Sequence, residues 1–153
     1  MKKLLCTLLG LLFGATTSVQ SQNQTPIEWR FAVKKTSANT YNIHLTALID
    51  QPWKLYTKLL NGPEGHMLAI DFNHNAYIIL SKDMQELGVP IEEYSPRLNA
   101  WVRYYKIAAN FVQKVTLIVD EPVTINGTID YLVGRSPDQL ENHREAFEIT
   151  INE

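Results

Sequence analysis

Apolar and polar residues alternate with period two along most of this chain, and that alternation limits the fold more than any other feature. Trp29, Phe31 and Val33 alternate with Glu28, Arg30 and Lys34. Tyr41, Ile43, Leu45, Ala47 and Ile49 alternate with Asn42, His44, Thr46 and Asp50. Further runs follow at Leu68, Ile70, Phe72; at Phe111, Val115, Leu117, Val119; and at Phe147, Ile149, Ile151, with Tyr77 to Leu80 and Trp101 to Tyr105 as two more candidates. One apolar and one polar face per run is the pattern of strands half buried in antiparallel sheets. Asn61-Gly62-Pro63, Gly88-Val89-Pro90 and Ser95-Pro96 supply the turns between them. The only helix-like piece, Lys82 to Leu87, is barely two turns long. The pattern predicts an all-β fold, an immunoglobulin-like antiparallel β-sandwich of seven to nine strands. Its core should hold Trp29, Phe31, Ile43, Leu45, Phe111, Leu117, Ile129, Tyr131 and Ile149.

Asn126-Gly127 would ordinarily signal a two-residue hairpin. Here that hairpin would pair Ile125 with Thr128 and Thr124 with Ile129, mixing apolar and polar residues on both faces. A continuous strand instead puts Val123, Ile125, Gly127, Ile129, Tyr131 and Val133 on one face, and a period-two register is costly to break. We therefore expect one long strand, with Gly127 at a bulge or a close backbone approach. The Asn126-Gly127-Thr128 glycosylation sequon is then incidental.

The N-terminus reads as an export signal, residues 1–21: Lys2 and Lys3, an apolar run from Leu4 to Ala15, then small and polar residues to Ser21. The apolar run is shorter than the roughly 20 residues a membrane span needs. Cys6 lies too early for a lipid-modified cysteine, so no anchor and no membrane insertion are expected after signal removal. Residues 22–26 form a short linker, and 27–152 a single domain, long enough to bury a real core without disulfides. The chain carries 14 basic and 16 acidic residues; without Lys2 and Lys3 the balance is 12 against 16. No basic cluster is available to follow a phosphate backbone, which argues against nucleic-acid binding. The expected location is the periplasm or the exterior.

Five motifs, in order, carry a resemblance: Ile27-Glu28-Trp29; Ile49-Asp50-Gln51-Pro52-Trp53-Lys54-Leu55-Tyr56; Pro90-Ile91-Glu92-Glu93-Tyr94; Phe111-Val112-Gln113-Lys114-Val115; and Gly127-Thr128-Ile129-Asp130-Tyr131. The order resembles the N-terminal periplasmic domain of DsbD, the membrane thiol:disulfide interchange protein. It is more closely similar to the stand-alone and fused versions of that domain in Bacteroidetes-type exported proteins. In that family the long strand runs into a loop whose two cysteines form the redox pair. Carried over from Gly127 to Tyr131, those cysteines would fall at Gly134 and near Gln139, and neither position is cysteine. The family's usual proline after the second cysteine is also missing, with Leu140-Glu141-Asn142 in its place. The resemblance thus implies the fold and the compartment, without electron transfer, because disulfide exchange needs a thiolate.

Other chemistry has little support. His44, His66, His74 and His143 lack the tight pair spacing of a zinc site; His66 and His74 with Asp71 come nearest, and solvated loop histidines are the simpler reading. Ser136 sits in turn-forming Gly-Arg-Ser-Pro, not in a nucleophile elbow. Glu92-Glu93 and Asp120-Glu121 are neighbours, and neighbours in a strand point to opposite faces. No metal, cofactor or catalytic residue is assigned. The leading expectation is a non-catalytic exported binding or accessory module with an envelope protein as partner. Its candidate contact residues are Tyr56, Tyr94, Gly134, Arg135, Asp138, Gln139 and Glu141, with Gly134 to His143 as a charged, mobile loop between strands ending near Val133 and beginning near Ala146. Trp53 and Tyr56 have a competing reading as core plugs. The alternatives are a small-molecule or metal carrier using a pocket between the sheets, and a purely structural part of an envelope assembly.

Overall fold

Each alternating run buries its apolar face against a partner sheet, and together they build a two-layered sandwich in which every strand pair is antiparallel. The structure, a computed structural model, describes residues 25–60, 67–136 and 139–152. The signal expected over 1–21 and most of the 22–26 linker lie outside them. Among the described residues eleven strands follow in order: β1 (Ile27–Ser37), β2 (Thr40–Ile49), β3 (Lys54–Leu59), β4 (Leu68–Phe72), β5 (Ile78–Leu80), β6 (Gln85–Leu87), β7 (Ile91–Ser95), β8 (Ala100–Tyr105), β9 (Ala108–Leu117), β10 (Val123–Ser136) and β11 (Gln139–Ile151).

The first sheet runs β1-β2-β9, with β5 and β6 sharing the far edge of β9 in succession. The second runs β11-β10-β3-β8-β7, and β4 takes the stretch of β10 that β3 leaves free. Strand β3 pairs with β10 only at Leu132 to Gly134; a register break between Tyr56 and Lys58 then turns it toward β8 alone. From Gly127 to Tyr131 the partner is β4.

The expected sandwich forms, with more strands than the seven to nine expected. The additional ones are short: β5 and β6 have three residues each, too few for a period of two to register. Lys82 to Leu87 contains no helix. Gln85–Leu87 pairs with Val112 to Asn110 of β9, a partner that two isolated helical turns would not have. Gly88, at φ +138°, ends the segment. The second correction concerns the loop expected from Gly134 to His143. Strand β10 continues to Ser136 and β11 begins at Gln139, with a register break at Arg135, so the described part of this stretch belongs to two strands of one hairpin.

The core between the sheets takes in Trp29, Ile43, Leu45, Phe111, Leu117, Ile129, Tyr131 and Ile149, all buried, with Phe31 half-buried beside them. Strand β10 is continuous through Asn126-Gly127, and Val123, Ile125, Gly127, Ile129, Tyr131 and Val133 face inward together. Gly127 marks a close approach: a Cβ there would run into the Phe147 ring and the Asp71 carbonyl. Phe147, its register partner, is held over it by Phe31 at 5.5 Å and Phe72 at 5.3 Å. A smaller apolar cluster forms on the outer face of the second sheet. Tyr56, Val102 and Tyr104 are buried there beneath Leu59, Met67, Ile91, Leu98, Leu132 and Leu140.

Candidate functional site

The β10–β11 hairpin carries most of the residues singled out in the sequence. Gly134 faces Leu140 across β11 and Lys54 across β3, while Ser136 faces Gln139. A Cβ at Gly134 would lie 2.7 Å from Leu140 Cδ2 and 2.8 Å from the Gln139 carbonyl oxygen, so the position admits no side chain without a shift of its neighbours. The chain's one cysteine, Cys6, is far away in sequence. Arg135 is exposed and lays its guanidinium over the Trp53 ring, 4.3 Å from the centroid. Asp138 lies outside the described residues. Glu141 is exposed, with Oε2 3.5 Å from Nε2 of His143, whose ring stacks on Tyr131 at 5.4 Å. His143 is therefore a half-buried strand residue and not a solvated loop histidine. His44 likewise sits on β2, beside Asn110 of β9.

Tyr56 corrects the expectation of a docking residue. It is 2% exposed, inside the outer-face cluster, with the Tyr104 ring 5.5 Å away. Above these two rings lies a polar group that the sequence did not reveal. Lys54 Nζ donates to Glu93 Oε1 at 3.0 Å, Tyr104 Oη donates to Glu93 Oε2 at 2.9 Å, and Lys54 Nζ sits 4.3 Å above the Tyr104 ring. Burial works against the Glu93 charge, yet the bonds from Lys54 and Tyr104 and the charges of Lys54 and Lys106 outweigh it and hold the carboxyl below its ordinary pKa. Burial also opposes the Lys54 charge, but the Glu93 bond and the tyrosine oxygens raise its pKa on balance. The Tyr104 hydroxyl is pushed up by burial and by its bond to Glu93. The group is internally paired, which suits positioning better than proton transfer.

Tyr94 points away from this cluster. Adjacent strand residues face opposite ways, so Glu93 joins Lys54 while Glu92 and Tyr94 share the other face with Arg103 and Trp101. Tyr94 is 47% and Trp101 45% exposed, and their rings meet edge to face at 6.2 Å. The pair is braced: Tyr94 Oη donates to Asn99 Oδ1 at 2.6 Å, and two register steps along, Arg103 grips Glu92 at 2.6 and 3.0 Å. Trp101 was legible as a strand residue but not as an exposed one. Alternation shows that Trp101 and Val102 face opposite ways, and nothing local says which side meets solvent.

The remaining sequence candidates do not converge. Glu92 and Glu93 have separate partners on separate faces, and Asp120-Glu121 lies in an exposed turn. No three His, Cys, Asp or Glu side chains among the described residues could share a metal ion; His66 lies outside those residues. No helix among the described residues is long and apolar enough to cross a membrane.

A scan against protein-family models finds no match, and no curated protein is similar in sequence. Among solved structures the chain is similar to the N-terminal periplasmic domain of ScsB from Proteus mirabilis, with a TM-score of 0.56 and 15% identity. The likeness covers 80% of this chain and 45% of that one, so the chain spans less than half of the protein it matches. At that identity the likeness is one of fold.

Proposed function

We propose that this domain is an exported, non-catalytic protein-binding module, with the exposed Tyr94–Trp101 pair at the centre of its contact surface. That pair is the observation that carries the reading. Two half-exposed aromatic rings on a braced two-stranded ribbon can bury a large area with little loss of side-chain freedom, which is why Tyr and Trp dominate binding hot spots. The Glu92–Arg103 bridge beside them offers the polar rim such surfaces need. Arg135 over Trp53, at the hairpin end, forms a second and smaller element of the surface.

Two observations support the absence of thiol chemistry. No residue after Cys6 is a cysteine, and Gly134 is packed against Leu140 and the Gln139 carbonyl. Export rests on the charged and apolar run before residue 22.

Envelope extract passed over the immobilised domain tests the reading. The parent is expected to retain a partner protein that Tyr94→Ala and Trp101→Ala each lose by at least about tenfold, the loss of a typical hot spot, with melting points close to the parent's. Arg135→Ala should give a smaller loss. Equal capture by parent and Trp101→Ala would remove this surface from consideration. A disulfide-reductase activity in the purified domain would overturn the non-catalytic reading.

A further inference from the structure

Where β3 leaves β10 at the Thr57 register break, β4 fills the edge of β10, and the two sheets part. The opening is a cleft of about 450 Å³, within the roughly 300–1,000 Å³ range of small-molecule sites. Leu68 and Ile70 of β4, Met84 before β6 and Phe111 of β9 form its apolar wall. Glu86 of β6 also lines the cleft, close to the buried Tyr105 of β8.

The polar side chains around the cleft balance. Among the residues that line it, Lys58 and Arg103 stand against Asp71 and Glu86. A charged ligand would find as much repulsion as attraction. The one polar group left over is Thr57: the residue lines the cleft and is 6% exposed, and its hydroxyl is buried with no hydrogen-bond partner. A buried hydroxyl without a partner is costly. A hydroxyl placed in the lining in this way can donate to, or accept from, a ligand in the opening.

We infer that this cleft between the sheets is a binding site for a small uncharged amphiphile, whose apolar body lies on Leu68, Ile70, Met84 and Phe111 and whose hydroxyl or carbonyl meets Thr57. The site lies on the inner side of the sandwich and shares Arg103 with the rim of the protein contact proposed for Tyr94 and Trp101, whose own rings do not line it. Its ligand class follows from the balanced charge and the single unpartnered hydroxyl.

N-phenyl-1-naphthylamine, uncharged and fluorescent in apolar surroundings, is the probe, titrated into the mature domain and displaced by 1-octanol or by octanoate. Saturable binding at one probe per chain is expected, with 1-octanol displacing it at concentrations at least about tenfold below octanoate. Met84→Trp and, separately, Ile70→Trp fill the cleft and should each remove binding while the melting transition stays cooperative. Thr57→Val should weaken 1-octanol by roughly five- to tenfold, about the worth of one hydrogen bond, and leave the naphthylamine less affected. Trp101→Ala should change none of these values. Absence of saturable binding, equal displacement by octanoate, or binding that survives both tryptophan variants with their folds intact would each overturn the inference. Loss on Trp101→Ala alone would do the same, by moving the probe to the exposed aromatic pair.

Discussion

Two residues show how far a single side chain can decide matters here. Gly127 sits in the middle of the longest strand, where glycine is normally a weakness, and its missing Cβ is what lets Phe147 come against the backbone there. Gly127→Ala is expected to cost about 1–3 kcal/mol, the usual range for overpacking a well-filled core, because one of the two obstacles is the Asp71 carbonyl of β4 and cannot swing aside. Urea denaturation measures this, and an unchanged midpoint would mean that β4 yields easily. Glu93 makes the opposite case, a polar residue held by partners. Its pKa is lowered in the fold, so its contribution is present above the ordinary carboxylate pKa near 4.5 and is lost as pH falls through the lower folded value. Lys54, raised, adds stability that persists until pH climbs through its folded value above 10.5. Between these limits the cluster is intact. Glu93→Gln should therefore lower the melting temperature at pH 7 and make little difference at pH 3. A constant difference across that range would show that the carboxylate charge is not what matters.

At the scale of strands, the long elements were legible in the sequence and the short ones were not. Ten to fourteen residues of alternation name β2, β9 and β10 without help, and they even settle the Asn126-Gly127 ambiguity. Strands of three residues, β5 and β6, exist only because β9 offers them an edge, and no local pattern can report an edge supplied by residues thirty positions away. One buried side chain anchors that pair of short strands. Gln113 of β9 is buried, and its Nε2 donates to the Ser81 carbonyl at 2.9 Å, to Ser81 Oγ at 3.0 Å and to the Lys114 carbonyl at 3.0 Å, fixing the link between β5 and β6. Gln113→Leu would keep the volume and leave those acceptors short of a donor, a loss of about 1–3 kcal/mol. Amide exchange should show faster opening across residues 78–87, with β1 and β2 protected as before. Uniform acceleration over the whole first sheet would mean that β5 and β6 are not a separate unit.

For the whole molecule, the candidate site divided along the same line. The residues from Gly134 on were expected in a loop and lie in the β10–β11 hairpin, and whether Tyr56 or Tyr94 meets solvent depends on what covers each face of the second sheet, which alternation cannot announce. A sandwich must also protect its outer strands, since an open edge invites pairing with another chain. Strand β11 forms one such edge, thirteen residues long. Glu145, paired with the core residue Ile129, points inward from it. Burial alone raises the Glu145 pKa, so the group favours the fold when protonated, below the ordinary carboxylate pKa near 4.5, and opposes it once pH rises through the folded value. An inward charge on an edge strand is a recognised guard against edge-to-edge association, and here it is maintained against stability. Glu145→Gln is accordingly expected to raise the melting temperature at pH 7, with the gain fading toward pH 4. Glu145→Val should raise it further at pH 7 and make the sedimentation coefficient climb with concentration, while the parent's stays level. If the valine variant is no more stable than the parent, burial of the carboxylate carries no cost. If it is more stable yet sediments as the parent does, the guard on this edge lies elsewhere along β11.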